Sequence, residues 1–210
     1  MGASPYFTDA ARAQAATTVQ AIESRTAAEV VIAVNARSGH YRHTDYLVGF
    51  GVSLAALVAM LYLPQEFPLE TFPVGVALAF VAGVLVLQLV PGVRRRLTAS
   101  ALLDEAVRTT ARAAFVDQGI TRTTGRTGIL VFVSLYERRV EVVTDLGVDP
   151  AALGEEWTRA LAGVASAVAG SKDPAPFFQA LLALTPPLER VLPRSPDDVN
   201  ELPDAPLHVS

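Results

Sequence analysis

The chain has 210 residues, 51% of them hydrophobic and only 18% charged, with a formal net charge of −4 and no cysteine. Soluble proteins carry about 25% charged residues, so the charge deficit must be concentrated somewhere along the chain. The missing cysteines exclude a disulfide scaffold, and the acidic balance argues against a nucleic-acid partner, which requires a basic face.

Thr8 is a plausible N-cap for a first helix, with Ala15, Val19 and Ile22 recurring on one side. Residues 1–25 are rich in Ala, Thr and Gln and lack the apolar core of a signal peptide. The run Glu29-Val30-Val31-Ile32-Ala33-Val34-Asn35 has strand length and is apolar on both faces, as an interior strand covered on both sides would be.

Two uncharged stretches follow, one from Tyr46 to Gln65 and one from Thr71 to Val93. Their apolar parts, Tyr46–Leu63 and Val74–Val90, approach the roughly 20 residues that cross a hydrocarbon core as a helix. A pair of buried helices in a soluble core would normally keep a polar stripe; these runs have none. Between them Pro64, Pro68 and Pro73 with Glu66 and Glu70 mark a short turn outside the membrane. Small residues recur at helical spacing, Gly51, Ala55 and Ala59 in the first span and Gly75, Ala79 and Gly83 in the second. Such rows let helices approach closely in lipid, although ordinary Ala and Gly content produces them too. Arg37 and Arg42 precede the hairpin, Arg94, Arg95 and Arg96 follow it, and the turn has neither Lys nor Arg. The positive-inside rule then places both termini in the cytoplasm of a two-pass protein of the inner (plasma) membrane.

After the spans, 98–116 reads as a helix with Leu103, Val107, Ala111 and Ala114 on one stripe, and 121–127 as a polar loop. Gly128–Ser134 and Arg139–Thr144 are strands joined by the turn 135–138. Asp149 caps a helix that carries Pro150 at its first position and Leu153, Trp157, Leu161, Val164 and Val168 on its apolar side. Asp173 and Pro174 open another helix with Phe177, Leu181 and Leu184 inward, and Pro186 and Pro187 mark a break or end. From Arg194 the tail lacks periodicity and is expected to be disordered. One strand ahead of the hairpin cannot form a sheet alone. The expectation is therefore one α/β domain, 1–45 together with 94–193, with the hairpin 46–93 inserted after its first strand and a tail at 194–210.

The stretch Gly125–Val148, with a Gly-led apolar strand ending in Ser134-Leu135-Tyr136-Glu137-Arg138, a second strand, and the exit Asp145-Leu146-Gly147-Val148, resembles the TPM domain family. Within it the branch of predicted bacterial membrane proteins is most similar. The match is specific over this segment and weaker, at the level of element order, elsewhere. The resemblance implies an α/β/α sandwich around a small mixed sheet. It also implies a choice of roles, since the family includes acid phosphatases, some binding calcium, as well as accessory factors of membrane complexes. Many members carry a carboxylate just before the Gly that opens the second strand, where this chain has Arg126 and Thr127. Exchanging a carboxylate for Arg removes a hard-oxygen ligand and adds a repelling cation, which argues against calcium and against phosphatase chemistry resting on it. No other cofactor is evident.

Four groups of residues invite a functional reading. Asp145 and Asp149, at the exit of the third strand, could handle a metal or a proton; a turn former and an N-cap are the simpler assignment. Arg122, Thr124 and Arg126 could cradle a phosphate, Arg126 then joining Asp145 and Asp149 as catalytic candidates, although the loop has no Walker pattern and no Lys. Glu137, Arg138, Arg139 and Glu141 read as solvated cross-strand pairs or as a charged edge that docks a protein partner. His40 and His43, with Asp45, fit the headgroup belt alongside Tyr41 and Tyr46 better than a metal site lacking a third ligand. A Ser/His/Asp hydrolase is disfavoured: the remaining histidine, His208, lies in the tail and no Gly-x-Ser-x-Gly elbow exists. The expectation is a membrane-anchored accessory module that binds lipid and a protein partner, with phosphomonoester hydrolysis as the alternative.

Overall fold

A computed structural model describes residues 4–65, 67–195, 201–202 and 206–209. Gly39–Leu103 forms one compact unit, and the chain on either side of it forms the other.

In the α/β unit, α1 (Asp9–Glu23) starts at Thr8, whose hydroxyl oxygen accepts the Ala11 N–H at 3.2 Å. Strands β1 (Glu29–Asn35) and β2 (Gly128–Ser134) run parallel in unbroken register from Glu29 opposite Gly128 to Asn35 opposite Ser134. β3 (Arg139–Thr144) is antiparallel to β2. The sheet is therefore mixed and joins segments from before and after the intervening unit.

Alternation explains why β1 and β2 are apolar throughout. Val30, Ile32, Val34, Ile129, Val131 and Val133 enter one core. That core also holds residues of α1, α6 (Pro150–Gly170), α7 (Ala175–Leu181) and α8 (Thr185–Val191). Val31, Ala33, Leu130 and Phe132 enter a second core with Val107, Ala111, Ala114 and Phe115 of the helix spanning Ser100–Asp117. Each face of these two strands thus has its own cover, the condition under which continuous apolar runs are stable as parallel strands.

The helical ends follow their side chains. Asp149 caps α6 by accepting the Ala151 N–H at 2.9 Å, with Pro150 in the first turn. Gly154, at φ +72°, breaks that helix after one turn. The proline pair does mark a break, but helix resumes there, because Pro186 and Pro187 occupy the first turn of α8, where a missing N–H costs nothing. The tail departs from expectation. Residues 196–200, 203–205 and 210 lie outside the described residues, yet 207–209 pair in parallel with Ala33–Asn35 as a fourth strand, β4, giving the order β3-β2-β1-β4. Pairing supplies backbone partners that leave no periodic trace in the sequence.

In the other unit, α2 (Arg42–Tyr62) and α3 (Thr71–Leu89) are both long and apolar enough to cross a membrane. They meet at Gly49 and Gly83. A Cβ at Gly49 would lie 2.7 Å from a methyl of Val84, and one at Gly83 would lie 3.1 Å from the Gly49 Cα. Tyr46 stacks on Phe80 with ring centroids 6.4 Å apart. The row Gly75, Ala79, Gly83 faces the partner helix, whereas Gly51, Ala55 and Ala59 point outward; the contact row of α2 runs instead through Gly49 and Ser53. A short helix, α4 (Pro91–Leu97), follows α3 after the non-helical Val90, so the expected helix from Thr98 is preceded by a separate seven-residue helix and begins at Ser100 as α5 (Ser100–Asp117).

Candidate functional site

The loop before β2 and the exit of β3 interlock. Arg126, at φ +53°, turns its guanidinium onto Asp145: Nε donates to Oδ2 at 2.7 Å and Nη2 to Oδ1 at 2.8 Å. The Leu146 N–H adds a third donor at 2.8 Å to Oδ1. Backbone bonds close the unit, from Asp145 N–H to Gly128 O at 2.9 Å and from Gly147 N–H to Arg126 O at 2.8 Å. Gly147 is required here, since a Cβ would sit 2.4 Å from the Gly125 carbonyl oxygen. Asp145 is only 4% exposed. Burial raises its carboxyl pKa, but the Arg126 and Leu146 hydrogen bonds and the guanidinium charge outweigh burial and hold it below the ordinary carboxylate range. The same hydrogen bonding raises the pKa of Arg126.

Of the residues read from the sequence at this end, only Arg126 and Asp145 are brought together. Asp149 is exposed and turned to its own helix as the cap. Arg122 is exposed on a 3-10 turn, Ile120–Arg122, and packs beside Gly119. The Thr124 N–H donates to a carboxylate oxygen of Glu201 at 2.9 Å, so the loop amide expected to meet an anion is already turned to a carboxylate of the same chain. A calcium ion does not fit this set. Both oxygens of Asp145 receive donors from a cation, and no cluster of three or more His, Cys, Asp or Glu side chains occurs among the described residues.

The opposite end of the same strands holds a second polar cluster. Glu137, expected at a solvated edge, is only 3% exposed, which corrects that reading. One carboxylate oxygen accepts the Ser38 N–H at 3.1 Å and the other accepts the Ser134 hydroxyl. The Ser38 and Ser134 hydroxyls lie 2.7 Å apart. Beyond β2 the chain continues alongside the exit of β1, with Leu135 N–H bonded to Asn35 O at 2.9 Å and Tyr136 N–H to Ala36 O at 3.0 Å. Arg138 takes φ +53° to complete the turn, Arg139 pairs with Asp104 of α5, and Glu141 is half-buried on β3. The sequence signal was present in the Ser134-x-x-Glu137 spacing. Ser38 and Asp104, far away along the chain, gave none.

No protein-family model matches the chain, and no curated protein matches it either. Among solved structures, the fold is similar to the NMR structure of BA42 protein from the psychrophilic bacterium Bizionia argentinensis, with a TM-score of 0.58 at 11% identity. The match covers 97% of this chain and 96% of that one. The likeness is one of fold alone.

A third polar cluster lies within the helical unit. Arg94 on α4 donates to Asp45, in the first turn of α2, at 2.5 Å, and both are buried. Beside them the Thr44 and Thr98 hydroxyls are 3.1 Å apart. Asp45 was expected in the headgroup belt with His40 and His43. The two histidines are exposed, but Asp45 is withdrawn into the helix contact.

Proposed function

We propose that the chain is a two-pass protein of the plasma membrane whose α/β unit lies in the cytoplasm and works as a protein-binding accessory module rather than a hydrolase. The observation that carries this reading is the outer surface of the hairpin. Phe50, Leu54 and Leu61 on α2 and Val74, Leu78, Val81, Leu85 and Leu89 on α3 are half or more exposed. Contiguous apolar surface of that extent marks a membrane or partner contact. The placement of the arginines on either side of the hairpin supports a cytoplasmic α/β unit.

The choice against catalysis rests on how the candidate groups are engaged. Asp145 is held by Arg126, Glu137 by two serines and Asp149 by a helix end. Phosphomonoester hydrolysis would need these groups turned toward a substrate. The TPM-like resemblance of the Gly125–Val148 segment agrees with an accessory role in a membrane complex. β3 is an edge strand, and Arg138 and Glu141 are the charged side chains there left to meet a partner.

The test is cross-linking in native membranes. A photoreactive residue placed at Glu141 should yield a discrete protein adduct, lost when Arg138→Glu is introduced. An adduct pattern unchanged by that reversal overturns the docking edge. Release of the intact protein by carbonate washing overturns the membrane reading.

A further inference from the structure

We propose that the base of the hairpin binds the headgroups of anionic phospholipids, through Arg42 and Arg96, with α4 lying in the headgroup layer; this rests on the membrane reading above. In a soluble protein a short helix turns its apolar side in and its arginines out. In α4, Arg94 is buried against Asp45, while Val93 and Leu97 are 45% and 56% exposed.

Leu85 and Leu89 near the end of α3 are exposed as well, so apolar side chains stand in the open on both sides of the break at Val90, where the backbone leaves the helical region at φ −121° and ψ 76°. An amphipathic segment of this kind, basic on one side and apolar on the other, suits the boundary between headgroups and acyl chains. The Asp45–Arg94 and Thr44–Thr98 bonds set the first turn of α2 beside α4, so Arg42 and Arg96 lie at the same end of the hairpin.

Both arginines are exposed, and neither enters an ion pair among the described residues. Withdrawing Arg94 leaves them as forked donors at the level where lipid phosphates sit. The far turn has Glu66 and Glu70 and no Lys or Arg, so charge complementarity to an anionic lipid exists at one end only. The apolar neighbours Val93 and Leu97 favour a lipid over free phosphate, which has no acyl chain to meet them.

The full-length protein is reconstituted into phosphatidylcholine vesicles containing a trace of spin-labelled phosphatidylglycerol or spin-labelled phosphatidylcholine. Electron paramagnetic resonance then reads the motionally restricted fraction of each. Phosphatidylglycerol should be enriched at the protein surface, and Arg42→Gln and Arg96→Gln should each lower that enrichment by up to about fivefold. Arg112→Gln should leave it unchanged, and added inorganic phosphate should not displace the labelled lipid. Equal restriction of the two lipids, or enrichment indifferent to both arginine changes, overturns the site while leaving the membrane reading intact. Failure of the protein to enter any vesicle overturns both.

Discussion

Asp145 is buried, and both of its carboxylate oxygens accept hydrogen bonds from Arg126. The folded pKa of Asp145 lies below its ordinary value, so its ionised form stabilises the fold above the unfolded-state pKa. That contribution is lost as pH falls through the folded-state value. Asp145→Asn should therefore flatten the acid limb of the stability profile. Arg126→Ala should destabilise most near neutral pH and progressively less in acid. Trp157, the single tryptophan, is 4% exposed in the core of the α/β unit. Its fluorescence during thermal unfolding in detergent measures both effects; an acid limb identical in all three proteins would refute the assignment.

Two neighbouring side chains extend the test. Gly147→Ala drives a methyl against the Gly125 carbonyl oxygen, which should cost about 1–3 kcal/mol by overpacking. Glu137→Ala strips the Ser38 N–H and the Ser134 hydroxyl of their acceptor, with an expected loss of about 1–3 kcal/mol for buried donors left unsatisfied. Denaturant midpoints followed through Trp157 check both values.

The strands and helices divide into those whose periodicity declared them and those that needed a partner. β1 and β2 were legible because a sheet covered on both faces forces continuous apolar runs, and α6 because Asp149-Pro150 is a start signal. α4 was not separable from the flanking sequence, and β4 was invisible, since three residues carry no period. The hairpin was legible as two long apolar helices, but which face of α2 meets α3 was not. Gly51 and Gly49 are equally small, and only packing distinguishes them.

The chain contains no cysteine, so a Met60→Cys, Gly75→Cys pair reports the α2–α3 contact without background. These positions face each other, with the Met60 sulfur 3.0 Å from where a Gly75 Cβ would be. Oxidation should close an intramolecular disulfide, and Gly83→Leu should sharply lower its yield. Arg94→Gln should lower it too, since removing one partner of a buried ion pair costs about 3–5 kcal/mol.

At the level of the complete chain, the β1–β2 register shows that one sheet is assembled from segments separated by the helical unit. Circularly separated expression of the two halves should therefore give no folded sheet until both are present. Near-ultraviolet circular dichroism of each half and of the mixture measures this, and a native-like signal from residues after the hairpin alone would contradict it.

Local pattern was sufficient for β1, β2 and β3, the two long apolar helices and the capped helix starts, because each depends on side chains within a few positions of one another. The environment of Glu137, the withdrawal of Asp45 and the capture of Asp145 by Arg126 depended on groups 19 to 99 residues away along the chain. Whether a charge faces water or a partner is a property of the folded neighbourhood, and the order of residues does not encode it directly.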